Sequence, residues 1–170
     1  MADGLSIDID TSEIAALLKK FPQFEAIIFN EMETAMMSSM AVLEAEIAGQ
    51  TPVNTGALAG SINHDVDGQN GQLIGTVGTA ISYGEPVEFG RAAGKWPPID
   101  AIELWVRRKL GIGGNEARSV AFLVARKIGQ QGTDGAAMFE KGFDAGKPSV
   151  EKLWRNVPPK AIAKIEGKLT

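Results

Sequence analysis

A single switch of period limits the folds open to this chain. From Phe24 onward, apolar side chains recur at helical spacing: Phe24, Ile28, Met32, Met36, Met40, Leu43 and Ile47. Shortly afterwards the spacing falls to two, with Ile62, His64 and Val66 alternating with polar neighbours. A 3.6 period keeps one face of a helix apolar, and a period of two keeps one face of a strand apolar. Neither stretch can take the other's structure without exposing its core residues. The spacing predicts a helix of some 25 residues ending at Gly49, roughly 40 Å long at 1.5 Å per residue. The methionine stripe (Met32, Met36, Met37, Met40) reads as core or subunit contact.

The flanking segments extend this pattern. Ahead of the long helix, "LSIDID" alternates like a short strand, and Asp10 with Glu13 forms a possible capping box for Ile14, Leu17, Leu18 and Phe21. Pro22 suits the first turn of the helix that follows. Beyond Val66, "DGQNGQ" reads as a turn, "LIGTVGT" as the returning strand and "ISYGEPVEFG" as at least one further strand. "WPPIDAIELWVRRKLGI" reads as a helix with Ile102, Trp105 and Val106 inward and Gly111 as its stop. "NEARSVAFLVARKIGQQG" reads as a second, with Val120, Leu123, Val124 and Ile128 inward. "GTDGAAMFEKGFDAG" is broken by glycines and reads as a short helix or turn holding Met138, Phe139 and Phe143. "PSVEKLWRNV" and "PPKAIAKIEGKL" read as short helices, the last with Lys160, Lys164 and Lys168 opposite Ile162, Ile165 and Leu169. The fold class is α+β: a small antiparallel sheet packed with a long N-terminal helix and several C-terminal helices.

The seam between the two periods, "TPVNTGALAGSI" at residues 51–62, has the ingredients of a chemical loop. It has no lysine, so it is not a P-loop. A nucleophilic Thr55 or Ser61 would need a base, and the one histidine, His64, would project to the opposite strand face from Ser61. His64 with Asp65 and Asp67 makes a poor metal set, because Asp65 projects away from His64. The carboxylate pairs Glu44/Glu46 and Glu85/Glu88 read as solvated faces or subunit ion pairs. Trp96, Trp105 and Trp154 read as anchors of cores or interfaces. The seam itself reads as a structural joint. Pro52 stops the helix from resuming, Asn54 and Thr55 bond local amides, Gly56 permits a sharp turn, and Leu58 re-enters the core. No catalytic, metal or cofactor residue is expected.

Composition adds two limits. There is no cysteine, which removes disulfides and thiolate chemistry. No stretch has the 18 or so apolar residues a bilayer span needs, and "MADGLSIDID" is no signal peptide, so a soluble protein made in a cytoplasm is expected. Net charge is −4, yet residues 1–90 carry 2 basic and 13 acidic side chains and residues 91–170 carry 15 and 8. Either the halves neutralise each other within one molecule, or opposite faces meet between copies. On the second reading the candidate subunit interface sets Glu85, Glu88 and Phe89 against Arg107, Arg108, Lys109, Arg126 and Lys127. The scattered cations, without an aromatic-rich strand beside them, argue against direct nucleic-acid contact.

"TPVNTGALAGSI" resembles the Pro-Val-Asp-Thr-Gly-x-Leu-x-x-Ser-Ile signature of the phage tail-component family, small tail-completion and head–tail joining proteins of long-tailed bacteriophages and prophages. "YGEPVEFG", "WPPIDAIELWVRRKLGI" and "AFLVARKIGQQGTDGAAMF" are similar to three further family segments, in the same order. The likeness covers roughly residues 25–145. Asn54 stands where the family usually has aspartate and Ala59 where a basic residue is common. The resemblance implies a structural virion protein of the neck or proximal tail, made in the host bacterial cytoplasm, without catalysis or cofactor. It implies a homo-oligomeric ring, with a hexamer as the expected size, touching a tail terminator, connector or tape-measure protein, and no membrane. The domain would span residues 1–146, with a helical C-terminal extension at 147–170. The alternative is a binding module that contacts nucleic acid or the tape-measure protein through the basic C-terminal helices.

Overall fold

The computed structural model describes residues 24–69 and 71–169. The expected strand at 5–9 and helix at 14–21 lie outside them, as do Asp10, Glu13 and Pro22. The fold is α+β, with a long helix, a small antiparallel sheet and several C-terminal helices. The chain forms two compact units. The first comprises the described residues up to Gln50, Ile62–Thr79 and those from Phe139 on; the second comprises Thr51–Ser61 and Ala80–Met138.

Helix α1, Glu25–Gln50, is the backbone of the first unit. Its inward stripe is Met32, Ala35, Met36, Met40, Leu43 and Ile47, each at most 6% exposed, while Met37 faces out. Each such burial contributes about 1.5–3 kcal/mol for the larger side chains. Ser39 lies in the same stripe, and its hydroxyl donates to Ala35 O at 2.7 Å, which satisfies it inside the helix. The helix runs through Gly49 to Gln50 and stops ahead of Pro52, whose ring disfavours helical geometry at Thr51.

Strands β1 (Asn63–Gln69) and β2 (Gln72–Gly78) pair antiparallel, with His64 opposite Val77 and Val66 opposite Gly75. Ile62, Val77 and the half-buried Val66 and Leu73 join Met36, Met40, Leu43 and Ile47 in one cluster. The hairpin sits so close to α1 that a Cβ on Gly75 would come within 2.4 Å of Met40 Sδ. His64 shares this inward face and reaches α1, where its Nδ1 donates to Glu44 Oε2 at 2.6 Å. Glu44, expected on a solvated face or subunit contact, is therefore engaged within the chain.

Helix α2, Gly84–Phe89, occupies "GEPVEF", where a strand was expected. Val87 and Phe89 alternate like a strand, but Pro86 stands in the helix's first turn, where no intrahelical N–H is lost, and Glu85 suits the positive helix start. The strand β3 is only Gly90–Arg91; it pairs with β4, Thr133–Asp134. Between them lie α3, Ile99–Lys109, and α4, Gly114–Gln131. Leu110 caps α3 and Gly111 follows at φ +68°, the left-handed stop that glycine suits.

Helix α5, Met138–Arg155, is the largest departure from the sequence reading. It passes unbroken through Gly142, Gly146 and Pro148, and so joins the expected short turn to the expected "PSVEKLWRNV" helix. Residue 146, the expected domain boundary, falls inside it. The glycines are packing surfaces here, not breaks: a Cβ on Gly142 would lie 2.5 Å from Ile47 Cα, and one on Gly146 would lie 2.8 Å from Leu43 Cδ2. Phe139, Phe143, Val150 and Trp154 pack on the same cluster.

Helix α6, Val157–Leu169, carries Pro158 and Pro159 in its first turn. It buries Val157 and Ala161 and leaves Ile162 54% exposed, so the inward stripe lies one position off the expected one. Val157 packs with Met32, Ala35 and Trp154. Lys164 donates to Glu31 of α1, a carboxylate whose side chain is only 8% exposed. An unpaired charge at that depth would be costly, so the pair ties the acidic N-terminal helix to the basic C-terminal one. Part of the charge asymmetry is thereby neutralised within one molecule.

Candidate interaction surface

The second unit is built on close approach of small residues. Ala117, Ala121 and Ala125 are fully buried, and Gly129 continues their four-residue spacing along α4. Val106 of α3 is also fully buried, packed with Ala117 and Ala121 and flanked by Ile99, Ile102, Trp105, Ile112 and Val120. Short side chains let the two helices approach closely, and this reverses part of the expected face. Leu123, expected inward, is 60% exposed, and its neighbour Phe122 is 46% exposed. The signal for this was present in the sequence as the Ala-x-x-x-Ala-x-x-x-Ala-x-x-x-Gly stripe, which marks size where a polarity pattern marks only hydropathy.

Two segments far apart in sequence are then locked backbone to backbone. Gly90 has φ +80°, and a Cβ there would lie 2.2 Å from Thr133 O. Gly132, at φ +76°, would place one 2.1 Å from Arg91 O, and Gly135 one 2.1 Å from Glu88 O. Ala136 N donates to Val87 O at 2.7 Å and Ala137 N to Glu88 O at 3.1 Å. "VEFG" and "GTDG" are thus the two halves of one glycine-lined clasp. Trp96 lies against Gly129, where a Cβ would meet its Cδ1 at 2.6 Å, and its ring centroid is 5.6 Å from that of Phe122. Gly94 N closes this corner by donating to Gly129 O at 2.8 Å.

The seam at 51–61 belongs to this unit. Thr55 Oγ1 accepts from Ala57 N at 3.3 Å, Gly56 takes φ +83°, and Gly60 N donates to Gly56 O at 2.9 Å. Leu58 is buried and its carbonyl accepts from both the amide and the hydroxyl of Ser61. Pro52 and Asn54 are exposed, and no bond from Asn54 to a local amide forms among the described residues. The two hydroxyls considered as nucleophiles are thus held by the seam's own backbone, and His64 is held by Glu44. Among the described residues, no three His, Asp or Glu side chains gather as a metal set. No helix among them is long and apolar enough to cross a membrane.

What the second unit offers outward is apolar and charged surface. Of the exposed large apolar side chains among the described residues, all but Met37, Ile74 and Ile162 lie in it, with Phe89 at 72% the most exposed. Of these, Phe122 and Leu123 share one cleft and the Trp96 ring lies against that of Phe122, and apolar surface gathered in this way marks interaction sites. A cleft of about 580 Å³ is lined by Ile99, Asn115, Arg118, Ser119, Phe122 and Leu123. The candidate interface residues all belong to this unit: Glu85 and the half-buried Glu88 on α2, Phe89 at its end, Arg107, Arg108 and Lys109 in the last turn of α3, and Arg126 and Lys127 on α4.

Charges beside the cleft are already paired. Glu103 accepts from Arg107 at 2.6 Å and from Arg118 at 3.2 Å, and Arg118 also reaches Asp100 at 3.4 Å. The hydrogen bond from Arg107 foremost, helped by the charges of both arginines against a burial cost, holds the Glu103 carboxyl below its usual range. A carboxylate depressed on folding stabilises the fold above its unfolded pKa, and this is lost as pH falls through the lower folded value. The stability difference between the parent chain and Glu103→Gln is therefore expected to be constant near neutrality and to shrink in acid. Urea titrations at a series of pH values test this; a difference unchanged down to the acid limit would remove the linkage.

Comparison with known proteins finds no match to this chain among protein-family models, curated proteins or solved structures.

Proposed function

We propose that this protein is a structural component of a long-tailed bacteriophage virion that completes the tail or joins it to the head as a homo-oligomeric ring. The observation that carries the reading is the concentration of exposed apolar side chains on the second unit, together with the cationic last turn of α3 and with Arg126 and Lys127 of α4. A chain that keeps such a surface in water gains most by covering it with protein. The clasp supports the reading further. Two of the segments that resemble the phage tail-component family, "YGEPVEFG" and the "GTDG" turn, are fitted to one another through Gly90, Gly132 and Gly135. The reading assigns the protein no catalysis and no cofactor, and it places the protein in the virion, at the neck or proximal tail.

The Glu31–Lys164 pair bears on the alternative, a nucleic-acid or tape-measure contact through the C-terminal helices. It engages one cation of that stripe within the chain and favours the second unit as the assembly surface. Native mass spectrometry across protein concentration and a salt series tests the ring. One closed species is expected, of six subunits, that dissociates more readily as salt screens the charged rim. A strict monomer at every concentration would sink the proposal.

A further inference from the structure

We infer that one copy's Phe89 is seated in the α3–α4 cleft of the next copy, making a head-to-tail contact; the inference rests on the proposed self-assembly and names its surfaces. Phe89 is the most exposed large apolar side chain described, at 72%, and ends a helix whose first turn carries the exposed Glu85. It does not fill its own chain's cleft, whose apolar lining is Ile99, Phe122 and Leu123. An aromatic side chain held out on a short helix fixed by the glycine clasp suits an anchor, because little freedom is lost when it docks.

The charges around the two surfaces are complementary. On α4, Phe122 is followed four residues on by Arg126, and Leu123 by Lys127, so each exposed apolar side chain of the cleft has a cation beside it on the same helix face. Arg118 lines the cleft itself, already paired with Glu103 and more loosely, at 3.4 Å between exposed side chains, with Asp100. An apolar cleft flanked by Arg126 and Lys127 fits an aromatic side chain carried on an acidic helix, and this chain supplies that ligand. The anchor and the cleft are different surfaces, so the contact is heterologous and closes into a ring or runs on as a filament.

Two variants test the assignment by mixing. Phe89→Asp removes the anchor and keeps the cleft; Leu123→Asp spoils the cleft and keeps the anchor. Both positions are exposed, and unchanged circular dichroism confirms that the variants fold. Each alone is expected to associate at least about 30-fold more weakly than the parent, the loss typical of a central anchor. Their equimolar mixture is expected to give a heterodimer and nothing larger, since only one intact anchor and one intact cleft meet. Combining Glu85→Lys with Lys127→Glu is expected to restore association that either charge reversal weakens. If the parent forms rings and either variant still does so with equal affinity, these surfaces are wrong and the ring stands. If the mixture rebuilds full rings, the head-to-tail contact is wrong. A parent chain that stays monomeric overturns both.

Discussion

Gly90→Ala is expected to destabilise the second unit by about 3 kcal/mol or more, a change of one methyl group. The position has φ +80° and ψ −168°, a region that only glycine occupies without strain of about 1–3 kcal/mol. The added Cβ would also lie 2.2 Å from Thr133 O, 2.7 Å from Gly135 N and 2.9 Å from Asp134 C. All three are backbone atoms, so no side-chain rotation relieves the overlap; β3 and β4 must move apart. At roughly 2–4 °C per kcal/mol for a chain of this size, the melting midpoint should fall by about 6–12 °C. Gly111→Ala is the matched control. It has φ +68° with nothing within 4 Å of the new methyl, so only the left-handed cost of about 1 kcal/mol applies. Hydrogen exchange should localise the Gly90 effect to residues 87–94 and 132–137. Equal losses for the two variants would mean that the clasp is not tight.

Gly142→Ala tests the first unit, and there the sign of the effect is diagnostic. In an open helix interior this change stabilises by about 1 kcal/mol, because alanine loses less backbone entropy than glycine. Here the new Cβ would lie 2.5 Å from Ile47 Cα and 2.7 Å from Ile47 N, atoms fixed in α1. Separating α5 from α1 would open the cluster of Leu43, Ile47 and Val150, so a net loss of about 1–3 kcal/mol is expected despite the better helix former. Gly142→Val should cost more, since it adds two further methyls. Gly167→Ala, on α6 with open space around it, should be neutral or slightly stabilising. Denaturant titration separates these outcomes, and a stabilised Gly142→Ala would show that α5 does not approach α1 this closely.

Both variants sit where sequence reading and structure part. "YGEPVEFG" alternates like a strand over Val87 and Phe89, and hydropathy alone cannot see that Pro86 fits a first helical turn. "GTDGAAMFEKGFDAG" reads as glycine-broken, and as separate from a helix at "PSVEKLWRNV", because isolated glycine and proline disfavour helices. In α5 the close approach to Ile47 and Leu43 outweighs that preference, and the glycines are what permit it. Leu123 was expected inward because it is apolar, yet Ala117, Ala121 and Ala125 take the inward face, and the short side chains of Ala117 and Ala121 fit against Val106. His64 was placed on the right face from its spacing, but its partner Glu44 is 20 residues away and no local pattern links them.

The sequence by itself determined what depends on neighbours along the chain. It set α1 through the recurrence of Met32, Met36, Met40, Leu43 and Ile47, the β1–β2 hairpin through its alternation and glycine-rich turn, and the end of α3 at Gly111. Periodicity is a local property, and these elements follow from it. The tertiary structure alone decided which residues touch across long separations: Gly90 with Thr133, Gly142 with Ile47, Glu31 with Lys164. It also decided which apolar side chains were left outside, Phe89, Phe122 and Leu123 among them. Contact depends on the distance of approach and the size of both partners, and a hydropathy pattern contains neither.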